Sequence, residues 1–285
     1  MSERVELSVV TPSFNMLWYL QRCAASVGDQ PGPRHEHLVV DGGSTDGTVD
    51  WLQTQPRVAS IVGPDQGMYD AINKGLRASS GHIVSYLSCD EQYLPGTLEF
   101  VSAYFRGHPD VAVLFGDTLV TRPDGSLVCF RKSYAPFWPF IATSDLYNFP
   151  SSMFFRREVV ASGELFDASY KDVGDVEFVM RLLRKGYRMR TVRRYLSTFT
   201  LTGSNRGQKP GVHLEGQRLR RKLPGWVNRA RLPLNVARLS VKFVSGAYFE
   251  RPPLRYSIYV STYDVENRQR TTFETHSPSP RWRLA

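Results

Sequence analysis

Residues 7–87 alternate between short apolar runs and helical patterns, and this alternation limits the folds open to the chain. Strand-like runs lie at 7–12, 37–41, 60–62 and 83–87, and apolar residues at helical spacing follow the first three of them. Strands that alternate with helices form right-handed βαβ units and therefore a parallel sheet. The sequence predicts an α/β fold with a mainly parallel central sheet flanked by helices.

Polar residues cluster where three of these predicted strands end. They are Thr11 to Asn15, Asp41 to Asp46, and the pair Asp90-Glu91. In an open α/β sheet, ligands bind outside the carboxyl ends of the strands, so the convergence predicts one functional site. Neither a G-x-G-x-x-G fingerprint nor a G-x-x-x-x-G-K-[ST] phosphate loop occurs. Asp41 alone is equally consistent with a residue that caps a glycine-rich turn.

The adjacent acids Asp90 and Glu91 directly follow an apolar run. Burying a carboxylate is costly unless something pairs with it, so two neighbouring acids at a strand end indicate a bound cation. Carboxylate oxygens are hard ligands, which favours Mg²⁺ or Mn²⁺. The alternative is an ordinary exposed Asp-Glu turn before Pro95.

Asp175 lies near the start of a predicted helix in which Phe178, Leu182 and Leu183 face inward. A carboxylate at that position can simply cap the helix. It can also act as a general base that the helix N-terminus presents to a substrate. The residue by itself does not decide between these roles.

Positive charge is concentrated in one segment of the chain. The protein has a net charge of +9, and residues 206–256 contain 12 Lys/Arg against 2 Asp/Glu, so the remainder nets −1. Within this segment, 234–248 predicts a helix with a broad apolar arc and a narrow polar side of Asn235, Arg238 and Lys242. Residues 218–250 therefore suit an anionic membrane surface, or else a helix packed on the main domain with a basic edge.

These patterns divide the chain into a catalytic domain at 1–205, a basic amphipathic helical extension at 206–263 and a flexible tail at 264–285. The tail is expected to be flexible because it is polar and contains Pro and Ser. Nucleic acid is not an expected partner, since the basic segment has too few aromatic residues for a base-stacking platform.

The composition also indicates a compartment. The three cysteines are widely spaced and give no disulfide or zinc pattern, which suits a reducing environment. The first residues carry no apolar signal-peptide core, and no apolar run reaches the roughly 18 residues of a spanning helix. We expect a cytoplasmic protein that can lie peripherally on the inner face of the plasma membrane.

Taken together and in this order, the motifs resemble those of the family 2 glycosyltransferases, which use nucleotide sugars and have the GT-A fold. The resemblance rests on residues 9–15, 39–48, 65–75 and 87–94, and it covers roughly 5–205. The third motif is similar to the version in bacterial exopolysaccharide and colanic-acid-type transferases.

The resemblance implies a set of residues that bind the nucleotide-sugar donor: Pro12, Phe14, Asn15, Asp41, Asp65, Gly67, Asp70, Lys74 and Asp90. The first three would line the base pocket, and Asp41 would hydrogen-bond the base, usually uracil. The 65–74 group would lie near the ribose and diphosphate, where Lys74 would help to stabilise the leaving group. UDP is accordingly favoured over GDP or dTDP.

The resemblance also implies a metal site and a catalytic base. Asp90 and Glu91 match the acidic motif whose Mg²⁺ or Mn²⁺ bridges the donor phosphates, and Asp175 matches the base that deprotonates the acceptor hydroxyl. The family usually has a second aspartate where this chain has Glu91. The longer side chain moves the carboxylate oxygens outward and changes the metal geometry.

The predicted activity is transfer of a sugar from an NDP-sugar, with inversion, to a hydroxyl of a glycan or lipid-linked saccharide in bacterial surface polysaccharide synthesis. A retaining mechanism stays open, because the sequence does not give the separation of the carboxylates. Two other classes also stay open. One is a degenerate domain that binds nucleotide sugar or glycan, and the other is a sugar-phosphate nucleotidyltransferase, although 11–15 lacks that class's basic glycine-rich loop.

Overall fold

The computed structural model describes residues 5–203, 205 and 211–281. Within them the strands are β1 (Leu7–Ser13), β2 (His35–Asp41), β3 (Val58–Val62), β4 (Ile83–Tyr86), β5 (Gln92–Tyr93), β6 (Val113–Thr121), β7 (Leu127–Arg131), β8 (Met153–Arg156), β9 (Met189–Thr200), β10 (Leu254–Ile258) and β11 (Thr271–Thr275). The helices are α1 (Leu17–Gly28), α2 (Thr48–Gln53), α3 (Met68–Ala78), α4 (Thr97–Gly107), α5 (Trp138–Thr143), α6 (Arg157–Ala161), α7 (Gly174–Arg184), α8 (Gly211–Arg221), α9 (Gly225–Arg229), α10 (Arg231–Val244) and α11 (Thr262–Glu266).

The central sheet has the strand order β3-β2-β1-β4-β8-β6-β9-β5, and β7 pairs with β6. β1 is parallel to β2 and β4, β2 is parallel to β3, and β6 is parallel to β9. β8 is antiparallel to both β4 and β6, so β6 and β9 run in the same direction as the first four strands. The prediction of a mainly parallel α/β sheet flanked by helices is confirmed.

Alternate residues of β1 point into two cores on opposite faces of the sheet. Val9 packs in the core that includes Phe105 of α4, whereas Val10 packs in the core that includes Ile72 of α3. Gly75 of α3 lies directly against β1, because a Cβ atom there would be 2.3 Å from Cγ1 of Val10. This close approach holds α3, and the loop that precedes it, against the carboxyl ends of the strands.

The C-terminal part differs from the expected helical extension and flexible tail. β10 and β11 pair as an antiparallel hairpin, and Phe273 stacks on Tyr256 with the ring centroids 5.3 Å apart. Tyr256 also donates a hydrogen bond to the carbonyl of Gly125 in the β6–β7 turn, at 2.7 Å. Residues 271–275 thus form a hairpin strand packed on the domain, and the flexibility expected from residue 264 onward stays a prediction. A single packed aromatic residue on an otherwise polar strand supplies the anchor that composition did not reveal.

Candidate active site

A cleft of about 1520 Å³ lies at the carboxyl ends of β1, β2 and β4, and residues at the start of α7 also line it. The cleft brings together eight of the residues selected from the sequence: Pro12, Phe14, Asn15, Asp65, Gly67, Asp90, Glu91 and Asp175. Asp41, Asp70 and Lys74 are not among the residues that line the cleft. The carboxyl-end position is the one that open α/β sheets use for ligands.

The wall formed by the end of β1 presents an exposed aromatic ring. Phe14 is 61% exposed, and the next residue, Asn15, has a left-handed backbone with φ of 51°. Asn15 is fixed on both sides, because its backbone N–H donates to Oγ of Ser44 (2.7 Å) and its Oδ1 accepts from the N–H of Thr45 (2.8 Å). Asn15 thus connects the loop after β1 to the loop after β2. The neighbouring ring of Phe14 is left free to stack on a planar ligand.

Asp41 is fully buried beneath the cleft and supports its own turn. Its Oδ1 accepts from the backbone N–H groups of Gly43 (3.0 Å) and Ser44 (2.7 Å), and its Oδ2 accepts from the Ser44 hydroxyl (2.7 Å). The structure favours the turn-capping role that the sequence left open. A hydrogen bond from Asp41 to the base stays a prediction.

Asp70 and Lys74 support the loop that runs from Pro64 into α3. Four residues apart, they pair on one helix face at 3.2 Å. Lys74 also donates to the carbonyl of Pro64 (2.9 Å), and Asp70 accepts from the N–H of Gln66 (3.0 Å). This pairing draws the ammonium group under the loop, so the structure does not place Lys74 among the groups that line the cleft.

The acidic pair lies in the turn after β4, at the base of the cleft. Oε2 of Glu91 accepts from the N–H of Ser88 (2.9 Å), and Oδ2 of Asp90 accepts from the amide of Asn205 (3.3 Å). Burial raises the pKa of Asp90 to about 6. Burial also raises the pKa of Glu91 well above its usual value, and the negative charges of Asp90 and Asp175 add to this shift. The three carboxyl groups therefore share one electrostatic environment.

The acidic pair fits a divalent cation that is completed by its ligand. Neither carboxylate has an ion-pair partner within 4 Å among the described residues, which leaves their charge to be balanced by something else. The same described residues contain no cluster of three or more His, Cys, Asp or Glu side chains that could hold a metal ion alone. Mg²⁺ commonly takes one or two carboxylates together with substrate phosphates, and this donor set matches that pattern.

Asp175 lines the cleft from the first turn of α7. Its Oδ1 accepts from the N–H of Val176 (2.8 Å) and from the hydroxyl of Tyr69 (3.3 Å). Burial raises the pKa of Asp175 to about 6, and these two hydrogen bonds oppose the rise. Among the described residues, both of these donors reach Oδ1. Oδ2 is therefore the oxygen that can accept a proton from a ligand.

Comparison with known proteins identifies the family. The sequence profile described as Glycosyl transferase family 2 matches residues 8–162, more than half of the chain. The chain belongs to glycosyl transferase family 2. An uncharacterized glycosyltransferase of Mycobacterium tuberculosis is 32% identical over 259 residues, which cover 87% of this chain and 94% of that protein. This family 2 chain is therefore a glycosyltransferase.

Two further comparisons agree. The PGL/p-HBAD biosynthesis glycosyltransferase of Mycobacterium bovis (strain BCG / Pasteur 1173P2) is 31% identical over 192 residues, which cover 61% of this chain and 68% of that protein. S. aureus TarS 1-349 in complex with UDP-GlcNAc has a TM-score of 0.59 and 19% identity, covering 84% of this chain and 73% of that one. The chain spans 43% of a longer TarS structure. At this identity, the likeness to TarS shows the GT-A fold.

Sequence reasoning missed Tyr69, which reaches the predicted base of this family 2 glycosyltransferase from α3. Its ring is buried and stacks on Phe166, with centroids 5.6 Å apart. It also lies tightly against the start of α7, because a Cβ atom on Gly174 would be 2.6 Å from Cε2 of Tyr69. Tyr69 belongs to the motif at 65–75 and Gly174 directly precedes Asp175, but their spacing in the sequence gives no sign that they meet.

Two cationic residues and one acidic residue were also missed. Arg131 at the end of β7 and Arg220 of α8 line the cleft of the glycosyltransferase. Glu215, also on α8, accepts hydrogen bonds from the backbone N–H groups of Lys171 (2.7 Å), Asp172 (2.8 Å) and Val173 (3.1 Å). The basic extension thereby holds the loop that leads into α7 and Asp175.

Proposed function

We propose that this family 2 enzyme transfers a sugar from a nucleotide-sugar donor, with UDP favoured, to a hydroxyl group of a glycan or lipid-linked saccharide. One observation carries the proposal. A carboxylate at the start of α7, Asp175, lines the same cleft as the acidic pair Asp90-Glu91, and the exposed aromatic ring of Phe14 lines it too.

Asp175 acts as the general base in this proposal. A pKa of about 6 leaves the carboxylate ionised at neutral pH yet basic enough to accept a proton. Oδ1 is held by Val176 and Tyr69, and Oδ2 takes the proton of the acceptor hydroxyl as its oxygen attacks the anomeric carbon. The C–O bond to the acceptor forms, and the bond to the nucleotide diphosphate breaks. A single displacement of this kind inverts the anomeric configuration.

Asp90 and Glu91 would hold Mg²⁺ or Mn²⁺ at the place where the diphosphate end of the donor is expected to bind. When bound, the cation stabilises the negative charge that develops on the leaving diphosphate. Asp90 and Glu91 would be its protein ligands, with Ser88 and Asn205 orienting one oxygen of each. Arg131 and Arg220 supply positive charge within the cleft in the role that the sequence assigned to Lys74.

The ligands and activities of similar proteins support a nucleotide-sugar donor and a saccharide acceptor. TarS binds UDP and UDP-GlcNAc in its described complexes. The M. bovis relative is described as acting in PGL/p-HBAD biosynthesis, and a 24% identical relative over 63% of this chain is the chondroitin synthase of Pasteurella multocida. We infer a UDP-sugar donor and a role in polysaccharide or glycolipid synthesis.

A donor panel tests the proposal. The purified chain is incubated with UDP-, GDP- and dTDP-sugars, with Mn²⁺ or with EDTA, and nucleoside diphosphate release is measured. We expect release from UDP-sugars that EDTA abolishes and that Asp90→Asn lowers. Asp50→Asn, the same change on an exposed residue of α2, should leave release unchanged. Binding of donor with no release and no transfer to any saccharide would favour the degenerate binding domain. Nucleotidyl transfer to a sugar phosphate would favour the second alternative class.

A further inference from the structure

Helix α10 packs on the domain with its polar side and with Leu234, which contacts the main core. Asn235 donates from its amide to the carbonyl of Thr143 in α5 (3.3 Å), and Arg238 donates to the hydroxyl of Tyr134 (3.3 Å). The ammonium of Lys242 lies 4.4 Å from the centroid of the Tyr248 ring. The narrow polar side recognised in the sequence is therefore the inner side. A surface helix of a globular protein normally has the reverse arrangement.

The consequence is an apolar face that points away from the protein. Val244 is 84% exposed, Leu232 76% and Phe243 61%, and Val236 and Leu239 extend the same face along the helix. Trp226 before the helix and Phe249 after it are also exposed. Large apolar side chains grouped in this way mark an interaction surface rather than a chance distribution.

We propose that the outward face of α10 docks on an anionic lipid bilayer. The apolar side chains would enter the boundary between headgroups and acyl chains, as in interfacial amphipathic helices. No helix among the described residues is long and apolar enough to cross a membrane, and the proposal needs none. It concerns attachment at the surface and is independent of the transfer chemistry.

The positive charge around the apolar face of α10 favours an anionic lipid surface over a second copy of the chain as its binding partner. The described residues 211–256 contain 10 Lys/Arg against two acids, Glu215 and Glu250. Glu215 binds the loop before α7, and Glu250 pairs with Lys132 at 3.0 Å. The exposed cations Arg229 and Arg231 lie at the start of α10 and Arg251 lies beyond its end. Two copies joined through this face would bring like charges together, whereas anionic headgroups complement them.

The face lies one helix away from the catalytic cleft. Asn235 of α10 binds Thr143 of α5, and the neighbouring α5 residues Ile141 and Ala142 line the cleft. A bilayer on α10 would therefore lie close to the mouth of the active site. If the proposed transferase function holds, this position suits an acceptor whose lipid part stays in the membrane.

Vesicle binding tests the proposal without donor or acceptor, so its failure is distinct from failure of the transferase function. The full chain is mixed with phosphatidylcholine vesicles that contain phosphatidylglycerol, and with pure phosphatidylcholine vesicles, and the bound fraction is measured by sedimentation. We expect binding to the anionic vesicles that weakens as salt is raised. The variant Val236→Ser, Phe243→Ser, Val244→Ser should bind about tenfold less tightly or weaker, because three inserted side chains are lost.

A matched control separates the face from general surface hydrophobicity. Ile61→Ser, Val62→Ser changes exposed apolar residues of β3 and should leave vesicle binding intact. Both variants alter exposed positions, and circular dichroism checks that they fold. Equal vesicle binding by the α10 variant and the native chain would overturn the proposal. A concentration-dependent dimer that the α10 variant abolishes, with no vesicle binding, would overturn it in favour of self-association.

Discussion

The hydroxyl of Tyr69 lies 3.3 Å from Oδ1 of Asp175 and donates to it across a sequence separation of 106 residues. This contact fixes one oxygen of the proposed base and lowers the pKa that burial raises. Tyr69 is itself held by Phe166 and by the start of α7, so the base is oriented by groups that are already packed. Orientation of this kind reduces the motion needed at the moment of proton transfer.

Tyr69→Phe should lower kcat by about tenfold, the value of one hydrogen bond to a charged group. The ring and its stacking on Phe166 are kept, so unfolding should change little. The hydrogen bond from Tyr69 favours the ionised form of Asp175 in the native chain, so its loss should raise the pKa of Asp175. The acidic limb of the pH profile of kcat should move to higher pH. An unchanged acidic limb would contradict a positioning role for Tyr69.

The native enzyme should lose activity as the pH falls through about 6, the pKa of Asp175. Above that value the carboxylate is ionised and can accept the acceptor proton, and below it the base is occupied. Asp90 has a pKa of about 6 in the absence of a cation, so excess Mn²⁺ is used throughout to keep the acidic pair ionised. The measurement is initial rate against pH. A rate that is constant from pH 8 down to pH 5 would refute the assignment.

Gly174→Ala should displace Tyr69, because the new Cβ atom would lie 2.6 Å from a ring carbon. We expect a loss of about 1–3 kcal/mol in the free energy of unfolding, typical of overpacking, together with reduced activity. Gly107→Ala in α4 is the control, since this residue does not line the cleft, nothing lies within 4 Å of its Cβ position, and alanine favours a helix. Urea denaturation and initial rates give both results. Equal stability for Gly174→Ala and the native chain would mean that the close contact is absent.

Glu215→Ala should reduce kcat by loosening the loop at 171–173, which loses three hydrogen bonds to one carboxylate. Removing this half-buried carboxylate acceptor should cost about 1–3 kcal/mol. Gln217→Ala, on the same helix and exposed, serves as the control. The comparison is made by initial rates and by hydrogen exchange of the loop amides. Unchanged exchange in Glu215→Ala would exclude a link between α8 and the start of α7.

The sequence located much of the site because strand ends meet at one edge of a parallel sheet. Asp90, Glu91 and Phe14 reach the cleft for that reason, and Asp175 follows from the motif order. The meeting of Tyr69 with Asp175 could not be predicted, because it depends on how α7 returns to α3. Lys74 does not line the cleft, because it pairs with Asp70 and donates to the carbonyl of Pro64, and its place near the diphosphate stays a prediction.

The orientation of α10 shows a second limit. The spacing of apolar residues gives the width of the apolar face of a helix, but it does not show which face packs on the domain. Thr143, Tyr134 and Tyr248 offer polar or aromatic partners to Asn235, Arg238 and Lys242, and these contacts turn the polar side inward. Thr143 and Tyr134 come from distant parts of the chain, so the pattern of residues 234–248 alone left both arrangements open.

We propose that Asp175 is the general base of the transferase and that it does not itself bind the donor. The direct measurement compares UDP-sugar binding and UDP release for the native chain and Asp175→Asn, with Mn²⁺ and acceptor present. We predict an unchanged Kd for the donor and release slower by about 10²–10⁴-fold, the usual contribution of a general base. Release by Asp175→Asn at the native rate would contradict the account.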